Sequence, residues 1–386
     1  MILSRRFFLF SLAVLTGCQK NADNSPNDDG TPRIERLGLS DAELRQAVAH
    51  TPSREIESVL QNVSRTLDLV YAERLPEYLP NWIAFHAVLM YGEHAYPNWR
   101  EGNITDGNLD RIFAVIQYSG TQNNGAFGLR GGLPYPRYSG PYFMQEHHPD
   151  QFLLYFSQAG GTLDAPLTID GKAYTFQDLL ERSLLEARTT NELAYTVSIY
   201  AQFLEPGRKW QNKFGETMSL AVLLEKLLKA PERTCLGTHR LGALARVYAR
   251  KELREGKEVA RLWPELERQV FEALHRLKQS QRPDGGFEPP GMVACSQTQE
   301  NIDIYYTGHS LEWVTFLGEN YCRDDWVVGG VDYLTSLVEK TYRQTFRNLG
   351  AVQTPDIHFD FGGLCHAVSA LAGWKDRFAP NTSDGQ

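Results

Sequence analysis

The histidines are the residues with the clearest chemical potential in this 386-residue sequence, which contains ten of them. Five stand close to the starts of stretches that are apolar on nearly all sides, namely His86, His148, His239, His309 and His366. An imidazole exchanges protons near neutral pH and is also a common metal ligand. If these stretches are helices that share one core, the five side chains converge. We therefore predict a polar, histidine-rich central cavity.

The pattern YYTGHSLEW at residues 305–313 is the most specific local feature. On a helix, His309 and Glu312 are three residues apart, so their side chains can meet on one face. Such a pair is suited to general acid–base catalysis. Together with the other inner-helix positions, this pattern predicts the catalytic residues His309, His239, His366, Glu312 and Tyr306.

Other polar residues expected at the cavity are candidates for binding a substrate. The third apolar stretch carries Glu192 where the others carry histidine, and Arg240 directly follows His239. The segment 120–149 is rich in Gly, Pro and aromatic rings, which stack on sugars. The predicted binding residues are His86, His148, Asp303, Arg240, Glu192 and Tyr142. We predict no metal ligands, and the sequence identifies no cofactor.

Two types of helical stretch alternate six times along the chain and must position these residues. Amphipathic stretches cover 53–74, 107–118, 175–188, 217–228, 263–279 and 325–345. Apolar stretches cover 82–92, 149–158, 191–204, 238–250, 308–318 and 364–374. A helix that is apolar all round must be buried, and an amphipathic one covers it. The alternation predicts an all-α fold, an (α/α)6 toroid of six inner and six outer helices with its long loops on one face.

Residues 281–287, which read QRPDGGF, follow an outer helix. They resemble the Q-x-x-D-G-G-F/W element of the terpenoid cyclase and protein prenyltransferase toroids. The resemblance implies the same fold, with Phe287 between neighbouring helix pairs. It does not extend to activity, because the D-x-D-D acid and the C-G-E-Q thioester motif are both missing. The zinc set of the prenyltransferases would need Asp303, Cys295 and His366, whose spacing does not match.

Residues 308–313, GHSLEW, resemble the G-H-x-x-E-W element of the N-acylglucosamine 2-epimerase and aldose–ketose isomerase family. That family is also an α/α barrel and uses inner-face histidines as acid and base. The resemblance implies that His309 is one proton-transfer residue and that His366 or His239 is the other. It favours acid–base catalysis on a carbohydrate-like substrate, of the epimerase or isomerase type.

Three other functions stay open. A polysaccharide lyase would use Tyr306, His309 or His239 as base and Arg240 to neutralise a carboxylate. A hydrolase would need two carboxylates about 5–10 Å apart. Its candidates are Asp303, Glu312, Glu192 and Glu146. The remaining alternative is a non-catalytic envelope scaffold that binds a protein or a glycan.

The first residues indicate export. Arg5 and Arg6 precede an apolar run at 7–15, which is shorter than the ~20 residues of a membrane-spanning helix. The string LTGC at 15–18 resembles the lipobox of bacterial lipoproteins. This resemblance implies a signal peptide at 1–17 and a lipidated Cys18, which a polar tether to residue 40 follows. The predicted toroid domain then covers 41–376, and a flexible tail covers 377–386. The protein would then be exported and lipid-anchored, on the periplasmic or outer-surface side of a membrane.

Charge and cysteine content limit the partners. The formal net charge is −8, and no basic stripe is present, which argues against nucleic acid. The expected partners are a membrane, through the lipid anchor, and a small-molecule or glycan ligand. Four cysteines follow Cys18 and allow three full pairings. Cys235 is placed either to form a disulfide with Cys295 or to ligate a metal with His239, and the sequence does not decide between them.

Overall fold

The computed structural model describes residues 37–73, 75, 81–91, 118–119, 126–137, 148–230, 237–290, 298–351 and 355–378. Within these ranges the chain is mostly helical, and its strands are short, so the predicted all-α class is confirmed. No helix of the described part combines the length and the apolar character needed to cross a membrane. The predicted signal peptide, Cys18 and Tyr142 lie outside the described residues.

The helices follow the predicted alternation closely. In chain order they are α1 Asp41–Ala47, α2 Ile56–Tyr71, α3 Asn81–Tyr91, α4 Gln151–Gln158, α5 Phe176–Glu186, α6 Ala194–Phe203, α7 Leu220–Lys229, α8 Thr238–Ala249, α9 Lys257–Gln279, α10 Gln299–Thr315, α11 Glu319–Cys322, α12 Asp325–Ala351 and α13 Pro355–Asp376. Eleven of the twelve predicted helical stretches coincide with a helix. The stretch 107–118 lies outside the described residues, apart from Tyr118, which begins a strand.

The described part of the chain also contains seven short strands. They are β1 Tyr118–Ser119, β2 Phe127–Arg130, β3 Leu133–Pro136, β4 Pro166–Ile169, β5 Lys172–Thr175, β6 Lys209–Gln211 and β7 Thr217–Ser219. β1 lies parallel to β4, while the pairs β2–β3, β4–β5 and β6–β7 are antiparallel. The turn between β4 and β5 is formed by Asp170 and Gly171, both of which have positive φ.

The apolar helices pack against each other in chain order. α3 contacts α4, α4 contacts α6, α6 contacts α8, α8 contacts α10 and α10 contacts α13, and α13 also contacts α3. Their burial explains this placement, because every residue from Ala194 to Ala201 of α6 is buried. The amphipathic helices bury one stripe instead, as α9 does with Val259, Trp263 and Leu266.

The QRPDGGF element follows α9 in the chain and packs against the start of α12. The Gln281 amide donates to the carbonyl oxygens of Gly285 (3.0 Å) and Trp326 (2.7 Å). Gly285 has a φ of 95°, which a residue with a side chain adopts only with strain. Phe287 is fully buried, its ring lies 6.0 Å from that of Trp326, and its backbone N–H donates to Thr307 of α10. The phenyl ring therefore lies between α10 and α12.

Two cysteines lie in the described part of the chain, and both are free and buried. Burial raises the pKa of Cys322 to about 12 and raises the pKa of Cys365 well above its ordinary value. Neither thiol is therefore a reactive thiolate at neutral pH. Cys235 and Cys295 lie outside the described residues.

Candidate functional site

The structure brings the five inner-helix histidines together. The ring centroids of His309 and His366 are 3.8 Å apart, and those of His148 and His239 are 5.0 Å apart. His239 lies 5.8 Å from His309, and His86 lies 5.8 Å from His366. Imidazoles from five helices or helix starts thus form one continuous group, which we call the histidine cluster.

The closest pair in the cluster is His309 on α10 and His366 on α13. His309 donates from Nδ1 to the carbonyl oxygen of Tyr305, one helical turn earlier, at 2.7 Å. His366 donates from Nδ1 to Oε2 of Glu312 at 2.7 Å, and Ser369 donates to the other oxygen of Glu312 at 3.0 Å. When both rings are neutral, these bonds place the hydrogen on Nδ1 and leave Nε2 as the basic nitrogen.

A line of hydrogen bonds connects His366 to His239. Nε2 of His366 lies 3.2 Å from the hydroxyl of Tyr155, which lies 3.2 Å from the hydroxyl of Tyr195. That second hydroxyl lies 3.1 Å from Nε2 of His239. The Gln151 amide donates to both tyrosines. Because each hydroxyl both donates and accepts, the line can carry a proton from one imidazole to the other.

Burial sets the protonation of the cluster. It lowers the pKa of His239 well below its ordinary value, and the neighbouring histidines lower it further. Burial also lowers the pKa of His309, with a smaller contribution from His366, although the bond to the Tyr305 carbonyl opposes this shift. Both imidazoles are therefore neutral near pH 7, the form that accepts a proton or binds a metal.

A second carboxylate joins the cluster from the start of α6. Glu192 accepts a hydrogen bond from Nδ1 of His148, with Oε2 at 2.6 Å. Two groups of three described side chains bring potential metal ligands within 4.8 Å of one another: His239, His309 and His366 form one, and His148, Glu192 and His239 the other. The predicted residues thus include two sets that can hold a cation.

His86 belongs to the cluster by position, whereas Asp303 and Arg240 are engaged by other residues. His86 donates from Nδ1 to the Trp82 carbonyl (2.8 Å). Asp303 pairs with Arg282 (2.6 Å) and also accepts from Tyr333 and Gln299. Arg240 is buried and donates to the carbonyls of Leu227 and Leu228 and to Gln269. Tyr306 is buried on α10.

Two cavities lie along the apolar helices, one at the cluster itself and one further along the same helices. A small chamber of about 30 Å³ is lined by His239, His309 and His366 together with Glu312. A larger cavity of about 440 Å³ lies towards the C-terminal ends of the inner helices, and Arg246 and Phe316 line both spaces. The predicted long loops lie at the opposite ends of these helices, and two of them are shorter than expected, because α10 begins at Gln299 and α13 begins at Pro355.

Arg246 is a functional candidate that the sequence analysis missed. Its guanidinium carbon lies 3.5 Å above the ring of Phe316, and burial lowers its pKa to about 10, so it remains charged near pH 7. It stands seven residues after His239, two helical turns further along the same face of α8. Tyr155 and Phe316 have the same spacing from His148 and His309. This heptad spacing was the available sequence signal.

The cluster brings five imidazoles, of which His239 and His309 are neutral near pH 7, together with two carboxylates and two tyrosine hydroxyls. Such groups can exchange protons. The chain matches no protein-family model, no curated protein and no solved structure.

Proposed function

We propose that this chain is an exported, lipid-anchored protein whose domain at 41–376 is an (α/α)6 toroid resembling the terpenoid cyclases and protein prenyltransferases. The contacts of the six apolar helices in chain order, together with the contact between α13 and α3, support the toroid. The buried Phe287 between α10 and α12 is also consistent with it. The anchor rests on the lipobox-like string at 15–18.

We further propose that the histidine cluster catalyses proton transfer on a carbohydrate-like substrate, in an epimerase, isomerase or lyase reaction. The observation that carries this proposal is the Glu312–His366 hydrogen bond beside His309. In such reactions one group removes a proton from a carbon next to a carbonyl or carboxyl group, and a second group donates one. Nε2 of His366 removes the proton, and Glu312 stabilises the imidazolium that forms. His309 is the second group, and it donates after its Nε2 has taken up a proton from water, because the only hydrogen of the neutral ring is on Nδ1 and bonds to the Tyr305 carbonyl.

The cavities limit how a substrate reaches these groups. The chamber of about 30 Å³ has room for a water molecule but not for a sugar, because ligand pockets measure ~300–1,000 Å³. The cavity of about 440 Å³ has room for a monosaccharide-sized ligand. We propose that the substrate enters there and that rotation of Arg246 and Phe316 joins the two spaces. Arg246 then neutralises a substrate carboxylate, since Arg240 is engaged with backbone carbonyls.

Deuterium incorporation tests the proton transfer even when the product is unidentified. The full chain is incubated in deuterated water with a panel of aldoses, N-acyl hexosamines and uronate oligosaccharides, followed by NMR and ultraviolet absorbance. We expect exchange at one carbon, or a conjugated double bond for a lyase, and loss of the signal in His366→Gln. His275→Gln is the matched control, because His275 lies on the outer helix α9. A folded chain that leaves every compound unchanged overturns the proposal.

A non-catalytic envelope scaffold is the second candidate. The small volume of the chamber and the engaged Nδ1 atoms of His86, His309 and His366 favour it, because a scaffold needs no open centre. Calorimetry on the same panel separates the two functions. Binding of an unmodified glycan or of an envelope protein, without deuterium exchange, identifies the scaffold.

A further inference from the structure

Two buried polar atoms at one edge of the histidine cluster lack a hydrogen-bond partner among the described residues. They are Nδ1 of His239 and Oε1 of Glu192. An unpaired buried polar atom destabilises the folded state, so native proteins seldom keep one without a reason. Both atoms belong to the same group of three side chains, which His148 completes and whose ligand atoms lie within 4.8 Å of one another. Two unpaired atoms in one such group point to a ligand that binds there.

We propose that His148, Glu192 and His239 bind one divalent first-row transition metal ion. Two imidazoles and one carboxylate are a ligand set that proteins use for zinc and for non-haem iron. The chemistry of the set fits the ion. His239 is neutral near pH 7, as a metal ligand must be, and the carboxylate of Glu192 offsets part of the ionic charge.

The elements that carry the ligands allow the site to close around an ion. Metal–ligand bonds of about 2.0–2.2 Å place ligand atoms at most ~4 Å apart, so a separation of up to 4.8 Å must shrink slightly. Nδ1 of His148 and Oε2 of Glu192 already lie 2.6 Å apart. The two residues precede α4 and α6, and their side chains are 15% and 28% exposed. His239 is the fixed member, because it is the second residue of α8.

One electrostatic effect opposes the site. The N-termini of α4, α6 and α8 lie close to the three ligands, and the positive end of a helix dipole disfavours a nearby cation. The free energy of coordinating Zn²⁺ with protein ligands is several times the combined effect of three such dipoles. The coordination energy therefore decides the outcome.

The other group of three, His239, His309 and His366, shares one residue with the proposed site. Its geometry is similar, but the basic nitrogen of His366 already contacts the hydroxyl of Tyr155. Neither His309 nor His366 contributes an unpaired buried atom. The unpaired atoms therefore favour the group that contains Glu192.

The metal site goes beyond the proposed proton transfer and does not require it. The ring of His239 lies 5.8 Å from that of His309 and 6.2 Å from that of His366. An ion held by His239 is therefore adjacent to the acid–base pair. A cation in this position polarises a substrate carbonyl group and so makes the neighbouring carbon–hydrogen bond more acidic.

Metal titration of the full chain tests the inference. The detergent-solubilised protein is stripped with a chelator and titrated with Zn²⁺ against a chromophoric competitor, and bound metal is counted by mass spectrometry. We expect one Zn²⁺ per chain, with binding in Glu192→Gln weaker by at least about 100-fold. Co²⁺ replaces Zn²⁺ in a parallel sample, where visible absorption bands report direct coordination.

Matched variants make each outcome decisive. His366→Gln and His275→Gln should keep one Zn²⁺ per chain, and circular dichroism should show that every variant is folded. Absence of binding by the wild-type chain, or wild-type affinity in Glu192→Gln, overturns the inference. Loss of binding in His366→Gln with retention in Glu192→Gln assigns the ion to the other group and also overturns it. Deuterium exchange is measured on both the metal-free and the Zn²⁺-loaded chain, so that a failure of the proton transfer is distinguished from a failure of metal binding.

Discussion

Nδ1 of His366 lies 2.7 Å from Oε2 of Glu312, although the two residues belong to different helices and are 54 positions apart in the chain. The carboxylate fixes the tautomer of the imidazole and holds the ring 3.8 Å from that of His309. A carboxylate in this position stabilises an imidazolium that forms when the ring accepts a proton. The pair is therefore the most direct target for mutation.

Replacing Glu312 with glutamine tests this relationship. Gln keeps the size of the side chain but removes the charge that stabilises protonated His366. We expect proton transfer to slow by about 100- to 10,000-fold. The measurement is the deuterium-exchange rate, with ¹⁵N NMR reporting the His366 tautomer. Glu319→Gln is the control and should keep the wild-type rate, because the Glu319 side chain is 50% exposed.

The stability of the metal-free protein should fall in mild acid. The pKa values of His239 and His309 are lowered in the folded state, so the unfolded chain binds more protons below its ordinary histidine pKa of about 6.5. The unfolding free energy is therefore complete above that pH and decreases as pH falls, by up to about 1.4 kcal/mol per pH unit for each histidine.

Urea titrations between pH 7.5 and 5, with a chelator present, measure this slope. His309→Gln should reduce the slope by about half, because only one of the two shifted histidines remains. His275→Gln should leave it unchanged. A pH-independent unfolding free energy in the wild-type chain would contradict the burial of neutral histidines.

Asp303 should contribute to stability rather than to ligand binding. It is buried and pairs with Arg282, so Asp303→Asn leaves a partly buried guanidinium without its main counter-charge. We expect a loss of about 2–3 kcal/mol in the free energy of unfolding, measured with urea, since partial exposure of Arg282 moderates the effect. Asp284→Asn is the matched control. Asp284 also contacts Arg282 but is 55% exposed, so its loss should be within about 0.5 kcal/mol.

Gly285→Ala tests the turn after α9. A Cβ atom there would lie 2.5 Å from the carbonyl oxygen of Gly329 at a φ of +95°. Strain and overlap together should cost about 3 kcal/mol or more in the free energy of unfolding. Gly131→Ala also places alanine at positive φ, but in open space, and should cost about 1 kcal/mol. Equal losses in the two variants would argue against the close contact with α12.

Helical periodicity made most of the secondary structure predictable from the sequence. Apolar helices such as α6 and amphipathic ones such as α9 differ in composition over many residues, so their alternation is visible without a structure. Helix α1 escaped prediction because it has seven residues and one buried side chain, Leu44. Its Ser40–Glu43 capping box was the remaining signal.

The candidate site was only partly predictable. The histidines were identified because they occur at matching positions in the apolar stretches. Helices α10 and α13 begin earlier than predicted, at Gln299 and Pro355, so His309 and His366 lie in the middle of their helices rather than near a helix start. Tyr155 and Arg246 complete the site from two turns further along the chain, seven residues after His148 and His239, and Tyr195 completes it from the first turn of α6. The partners of Arg240 and Asp303 could not be predicted, because they come from residues distant in sequence.

The absence of a side chain at Gly308 allows the imidazoles of His309 and His366 to lie close together. Gly308 precedes His309, and a Cβ at that position would lie 2.8 Å from the Cα of Ala367, the residue after His366. The two helix backbones touch directly beside the rings, so the gap between His309 and His366 is as rigid as the backbone itself. A substitution at 308 can therefore change the pKa of His309 without altering any titratable side chain. A bulkier residue there would separate the two rings and weaken the effect of one imidazole on the protonation of the other.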